Sequence, residues 1–303
     1  MLGAMVLFWV LPAVAKSMTP GEVTLAGTRS FTMHSPETGR DYLVQVSVPE
    51  TMPPAEGFPV LYLLDGKAYL PLMQMARDTL SREGPGHTSS PLLIVGIDTP
   101  GEQRFNREQR AADFTPAGAQ GGSASPQGQA DRFLAFIQSR LKPAIHRRFP
   151  VDQARQALFG HSFGGLFATH VLLTAPESFQ HYIAISPSLW WYGADPVAEL
   201  EGRLSTPAGE TAPGLLLGVG ALEQTVADAV KGTPRTRLVR ERAMVDNVVQ
   251  LAAWLAERHP QWPLQWVIFP GEGHGSVMWP AARRTMEFLH GNLRNRVTES
   301  PAN

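Results

Sequence analysis

The stretch QALFGHSFGGLFATHVLL, residues 156–173, decides the fold. Ala157-Leu158-Phe159 is a short apolar run, and residues 166–173 follow a helical pattern. Between them lies Gly160-His161-Ser162-Phe163-Gly164, a G-x-S-x-G pattern. A chain that passes from strand to helix through so few residues turns sharply, which strains the serine backbone and lifts its Oγ clear of the sheet. Side chains at the flanking glycines would collide with that strand and helix, and Gly165 extends the small-residue stretch. A glycine-rich turn with a capping serine would use the same letters. The strand–turn–helix setting favours the other reading, with Ser162 as a nucleophile.

Outward from this turn, apolar runs rich in β-branched and aromatic residues recur at 42–48, 59–64, 92–97, 182–185, 215–219 and 264–269. Several are nearly continuous, as in central strands buried on both faces. Residues 131–148 carry Phe133, Leu134, Phe136, Ile137, Leu141 and Ile145 on one helical stripe, while 237–257 and 286–293 are further helices. Residues 29–48 read as an antiparallel pair leading into the sheet. Alternating strands and helices predict a mostly parallel central sheet with helices on both faces, the α/β-hydrolase fold.

Of the 303 residues, 43% are hydrophobic and 17% charged, ample material for one sizeable core. A net charge of -1 offers nucleic acid or a strongly charged membrane no general attraction. The absence of cysteine excludes a disulfide framework, a thiol nucleophile and cysteine-ligated zinc. Residues 1–15 are an apolar run closed by Ala13-Val14-Ala15, which reads as a signal peptide, though no Lys or Arg precedes the run. The run is too short for a hydrocarbon core of ~30 Å, so no stable membrane insertion is expected once it is removed. Residues 16–303 are expected to form a single domain. Within it, PAGAQGGSASPQGQ at 116–129 buries too little apolar surface to offset the entropy of ordering, and is expected to be a mobile loop.

A serine hydroxyl needs a base. Five histidines follow Ser162. His170 and His290 fall in helices, His259 ends one, and His181 starts a strand. His274 stands in Gly271-Glu272-Gly273-His274-Gly275-Ser276, a loop just past the last strong strand, where an imidazole can reach over the elbow. The acid should follow the strand at 215–219. Glu223 comes first, ahead of Asp228 and Asp246, which look like helix positions. A first-turn carboxylate on a helix is the alternative reading of Glu223. The tetrahedral oxyanion needs two N–H donors. Phe163 N–H follows the nucleophile, and Lys67 N–H follows Asp65-Gly66 at the end of the third strand, where a plain Asp-Gly turn is the alternative. Neither metal nor cofactor is required by this chemistry.

LYLLDG (61–66), GHSFGG (160–165), SPSLWW (186–191) and GEGHGS (271–276) resemble the putative-esterase family of α/β hydrolases, in order and spacing over roughly residues 28–292. With RxxDFTP at 110–116, the low-complexity loop and the export signal, the chain looks most like the periplasmic IroE-type trilactone siderophore esterases. That resemblance implies a periplasmic enzyme cutting a cyclic catecholate triester such as enterobactin or salmochelin, iron-free or ferric. It also implies a Ser–His dyad with no clear acid, which counts against Glu223. Trp190 and Trp191 could then stack on catechol rings, and Arg104 and Arg110 could meet the negative charge of an iron complex. Against this, one of the two tryptophans could be core, and Arg110 could simply pair with Asp113. A general feruloyl- or acetyl-type esterase is the second reading. A non-catalytic siderophore-binding protein on the same scaffold is the third.

Overall fold

Among the described residues, eight strands form one sheet: β1 (Thr28–Ser35), β2 (Arg40–Ser47), β3 (Phe58–Leu64), β4 (Leu93–Asp98), β5 (Val151–His161), β6 (His181–Ile185), β7 (Gly214–Gly220) and β8 (Leu264–Phe269). The structure is a computed structural model describing residues 24–80, 91–118, 128–193, 195–203, 212–225 and 232–291. The strand order is β1-β2-β4-β3-β5-β6-β7-β8. β2 runs antiparallel to both neighbours, and every pairing from β4 to β8 is parallel. All residues of β3, β4 and β7 are buried, which is why their sequences are unbroken apolar runs.

The helices are α1 (Gly66–Leu80), α2 (Arg107–Phe114), α3 (Ala130–Phe136), α4 (Lys142–Arg148), α5 (Phe163–Thr174), α6 (Pro196–Glu201), α7 (Pro234–Arg242), α8 (Met244–Arg258) and α9 (Met278–Gly291). They cover both faces. Leu61 and Leu63 of β3 meet Leu70 and Met73 of α1 and Ala281 and Met286 of α9. Tyr62 and Leu64 point the other way, into a core with Phe133, Phe136, Phe167, Val248 and Leu251. The period-two alternation of a strand supplies the two cores from one segment.

Three expected helices differ in detail. The helix expected over 131–148 contains a π turn at Ile137–Leu141, closed by Lys142 N–H donating to the Ile137 carbonyl. Pro143 follows, with no N–H to donate and a ring that crowds the preceding turn, and the wider turn relieves that crowding. The helix expected over 237–257 is two helices, α7 and α8, broken at Ala243 with φ 41°. Asn247 Nδ2 donates to the Arg242 carbonyl at 2.9 Å and so satisfies a group the break exposes. The last helix starts at Met278, well before residue 286. α1 is an addition. Its Asp65-Gly66 lead and internal Pro71 read as turn signals, yet Leu70, Met73 and Arg77 lie on one buried side.

Residues 1–15 and 119–127 lie outside the described residues, and with them the expected signal peptide and most of the expected loop. Among the described residues no helix is long and apolar enough to cross a membrane. β3 lies between β4 and β5, so the chain leaves β3 for one side and later returns on the other. Such a switch point opens a crevice at the carboxyl ends of the two strands. Asp65-Gly66-Lys67 and the turn around Ser162 both sit there.

Candidate active site

Ser162 occupies the strained corner between β5 and α5, with φ 60° and ψ -118°. Its N–H donates to the Ile185 carbonyl at 3.0 Å, which ties the corner to β6. A Cβ on Gly160 would fall 1.9 Å from the Gly164 carbonyl oxygen, so the turn closes only with glycine there.

His274 reaches this corner from the loop after β8. Its Nε2 lies 3.0 Å from Ser162 Oγ, and its Nδ1 lies 2.6 Å from Glu223 Oε2. Glu223 closes a short 3-10 turn, Ala221–Glu223, directly after β7. Because β7 and β8 are adjacent, the carboxylate and the imidazole arrive side by side. The Glu223 side chain is 1% exposed, and its Oε1 accepts from Gly220 N–H at 2.8 Å and Ser186 Oγ at 2.5 Å. A carboxylate opposite Nδ1 assigns the ring proton to that nitrogen and leaves Nε2 to accept from the Ser162 hydroxyl. In place of the acid-free dyad that the resemblance implied, the chain carries a Ser–His–Glu constellation. The other histidines stand where the sequence put them, and Asp246 is in α8. Asp228 lies outside the described residues.

The oxyanion expectation needs correction. Phe163 opens α5, where the first N–H groups have no acceptor within the helix. The Lys67 N–H is not available. It donates to Asp98 Oδ2 at 2.8 Å, with Lys67 Nζ also 3.5 Å from the same carboxylate. The cause is the start of α1 beside the end of β4: an exposed helix N-terminus attracts a carboxylate, and parallel pairing of β3 with β4 brings Asp98 alongside.

Two of the four expected substrate contacts also change. Trp191 is buried, edge-on to Phe163 with ring centres 5.4 Å apart, and belongs to the core. Trp190 is half-buried, 6.1 Å from Phe163, with the Arg242 guanidinium 4.6 Å from its ring centre. Arg110 does not pair with Asp113, which is held by Arg40 and Tyr42. It makes two hydrogen bonds to Asp65, at 2.7 and 3.1 Å, so its charge is largely committed. Burial nevertheless pushes the Asp65 carboxyl up to about 6. The Arg110 guanidinium still lies 5.3 Å from the Phe105 ring and 5.8 Å from that of Phe163. Arg104 is exposed, with its charge felt at the Tyr69 phenol.

The sequence reading missed Phe105, Arg242, Ser186 and Ser188. Ser188 Oγ is 3.5 Å from Ser162 Oγ, and Ser186 and Ser188 both lie in SPSLWW, which was read only as a point of likeness. Phe105 and Arg242 left no signal, being single residues on distant segments. His274 is exposed, so the site is open to solvent and flanked by Phe105, Phe163 and Trp190.

Residues 35–253 match the family described as "Putative esterase". The ferri-bacillibactin esterase BesA of Bacillus subtilis is 34% identical over 282 residues, covering 90% of this chain and 93% of BesA. The siderophore enterobactin esterase of Emericella nidulans is 34% identical over 248 residues, covering 76% of this chain and 81% of that protein. The siderophore hydrolase EstB of Aspergillus nidulans superposes with a TM-score of 0.79 at 29% identity, over 92% of this chain and 100% of EstB. The corner serine, its imidazole, the sheet order and these matches agree: the chain belongs to the putative-esterase family of α/β hydrolases and is a carboxylic ester hydrolase.

Proposed function

We propose that the protein is a serine esterase that hydrolyses the ester bonds of a catecholate trilactone siderophore of the enterobactin kind to linear products. The observation that carries the mechanism is the 3.0 Å approach of His274 Nε2 to Ser162 Oγ with Glu223 behind the ring. His274 takes the Ser162 proton as Oγ attacks the ester carbonyl. The Phe163 N–H, at the positive end of α5, meets the developing oxyanion. Protonated His274 then gives its proton to the leaving alkoxide, which is a seryl hydroxyl in a trilactone. Water repeats the sequence on the acyl-enzyme and releases Ser162.

The siderophore relatives support the substrate class. Phe163 and Trp190, with the Arg242 guanidinium against the Trp190 ring, supply flat apolar faces and positive charge for an anionic aromatic ligand. Any iron is cargo of the substrate. The test compares turnover of enterobactin, iron-free and ferric, with turnover of p-nitrophenyl butyrate. Cleavage of the trilactone at micromolar concentration is expected. Its absence, with the aryl ester still turned over, would leave a general esterase instead. We also propose export to the periplasm, supported by the apolar run ending in Ala13-Val14-Ala15. The check is the N-terminal sequence of the protein recovered from a periplasmic fraction.

A further inference from the structure

We propose that His161, oriented by Tyr69, is a positioning residue that holds the backbone of His274 in register with Ser162. This rests on the reading of His274 as the base.

The loop that carries His274 has glycine on both sides, and a Cβ on Gly273 or Gly275 would meet nothing within 4 Å. So open a segment gains little from packing. Glu223 holds the imidazole ring but not the backbone beneath it. The contact to the His274 carbonyl itself comes from His161, whose Nε2 lies 2.8 Å from it, while Leu222 N–H donates to the Glu272 carbonyl at 2.9 Å and Val277 N–H to the Gly273 carbonyl at 3.0 Å on either side. A carbonyl only accepts, so that nitrogen carries the proton. Nδ1 of a neutral ring is then an acceptor, and the Tyr69 hydroxyl faces it at 2.9 Å. The two contacts define one tautomer: Tyr69 O–H donates to Nδ1, and Nε2–H donates to His274. If Nδ1 carried the proton instead, Nε2 would turn a lone pair on the carbonyl and release the loop.

The surroundings agree. His161 is 5% exposed, and its ring lies 4.7 Å from that of His274. Burial, with His274 and Arg110 adding to it, pushes the His161 imidazole down to about 3, so the ring stays neutral while its neighbour gains and loses a proton. His161 itself is anchored in β5, one residue before the nucleophile. Nucleophile and base are thus referenced to the same rigid strand end. An error of about 1 Å between reacting groups can cost about a hundredfold in rate.

The test uses p-nitrophenyl acetate, small enough to avoid distant substrate contacts, with kcat, KM and melting temperature measured for four variants. His161→Leu and His161→Asn should lose roughly 30- to 100-fold in kcat with KM within about twofold. His161→Gln, whose amide nitrogen reaches as far as Nε2, should recover to within about fivefold of wild type. Tyr69→Phe should lose roughly fivefold, because the tautomer is no longer enforced. A merely structural role would lower the melting temperature of Leu, Asn and Gln variants alike and would show no rescue by Gln. That pattern, or full kcat in His161→Leu, overturns the proposal. His274→Ala, run alongside, separates the two readings. Activity retained there removes His274 as the base and this proposal with it. Loss there with full activity in His161→Leu removes the positioning role alone.

Discussion

Glu223→Gln tests whether the buried carboxylate takes part in the reaction, and the structure says which way the amide must point. Gly220 N–H is a donor only and lies 2.8 Å from Oε1, so the amide oxygen has to take that position. The NH2 group then faces His274 Nδ1, where Oε2 now sits at 2.6 Å. Two N–H groups cannot share that contact. His274 is driven to the tautomer with the proton on Nε2, which can no longer accept from Ser162. The lost charge matters as well. Opposite charges about 4 Å apart at an effective dielectric near 20 attract by about 4 kcal/mol. His274 is 48% exposed, so about half of that is a fair figure for the imidazolium formed during attack. Adding about 2 kcal/mol for the wrong tautomer gives about 4 kcal/mol, or roughly a 10³-fold loss in kcat. Steady-state hydrolysis of p-nitrophenyl butyrate between pH 6 and 9 measures it, with circular dichroism to confirm the fold. A loss under about tenfold would refute the argument. Ser162 and His274 would then act as a dyad, with Glu223 only bracing the turn after β7.

Ser162→Ala should lower kcat for the same ester by at least about 10⁴-fold while leaving the affinity for a non-hydrolysable siderophore analogue, read by tryptophan fluorescence, within about threefold. Gly160→Ala places a methyl group 1.9 Å from the Gly164 carbonyl oxygen and should cost more than about 3 kcal/mol, seen as loss of soluble protein or a sharply lowered melting temperature. Burial pushes the His181 imidazole from 6.5 down to about 4, so between those values the unfolded chain binds the extra proton and stability falls as pH falls. Urea unfolding at pH 7.5 and 4.5 should show wild type losing about 2 kcal/mol more than His181→Gln over that interval; equal losses would contradict the burial argument.

Much of this was legible along the chain. The corner serine needed only its own neighbours, because a strand, a tight turn and a helix leave local signatures in apolar runs and glycines. His274 was legible for a related reason: a Gly-lined loop after the last strong strand has one evident place to go. Glu223 was legible as the first carboxylate after β7, but the family resemblance argued against it. Its standing depended on the contact with His274, which the pairing of β7 with β8 creates and no spacing rule supplies. The π turn in residues 137–141 and the break at Ala243 were hidden, since a helical stripe of apolar residues survives both.

The sequence by itself determined the fold class, through apolar runs and helical stripes that alternate along the chain, and it singled out Ser162 and His274 as the candidate nucleophile and base, because each stands in a short local pattern. The tertiary structure alone decided how the remaining groups are spent. It gave the Lys67 amide to Asp98, the Arg110 guanidinium to Asp65, the Trp191 ring to the core and the His161 ring to the carbonyl of His274. Each of these partners comes from a different segment of the chain. Which donor meets which acceptor was settled by the order β4-β3-β5-β6-β7-β8, and a buried polar group takes whatever partner that order sets within reach.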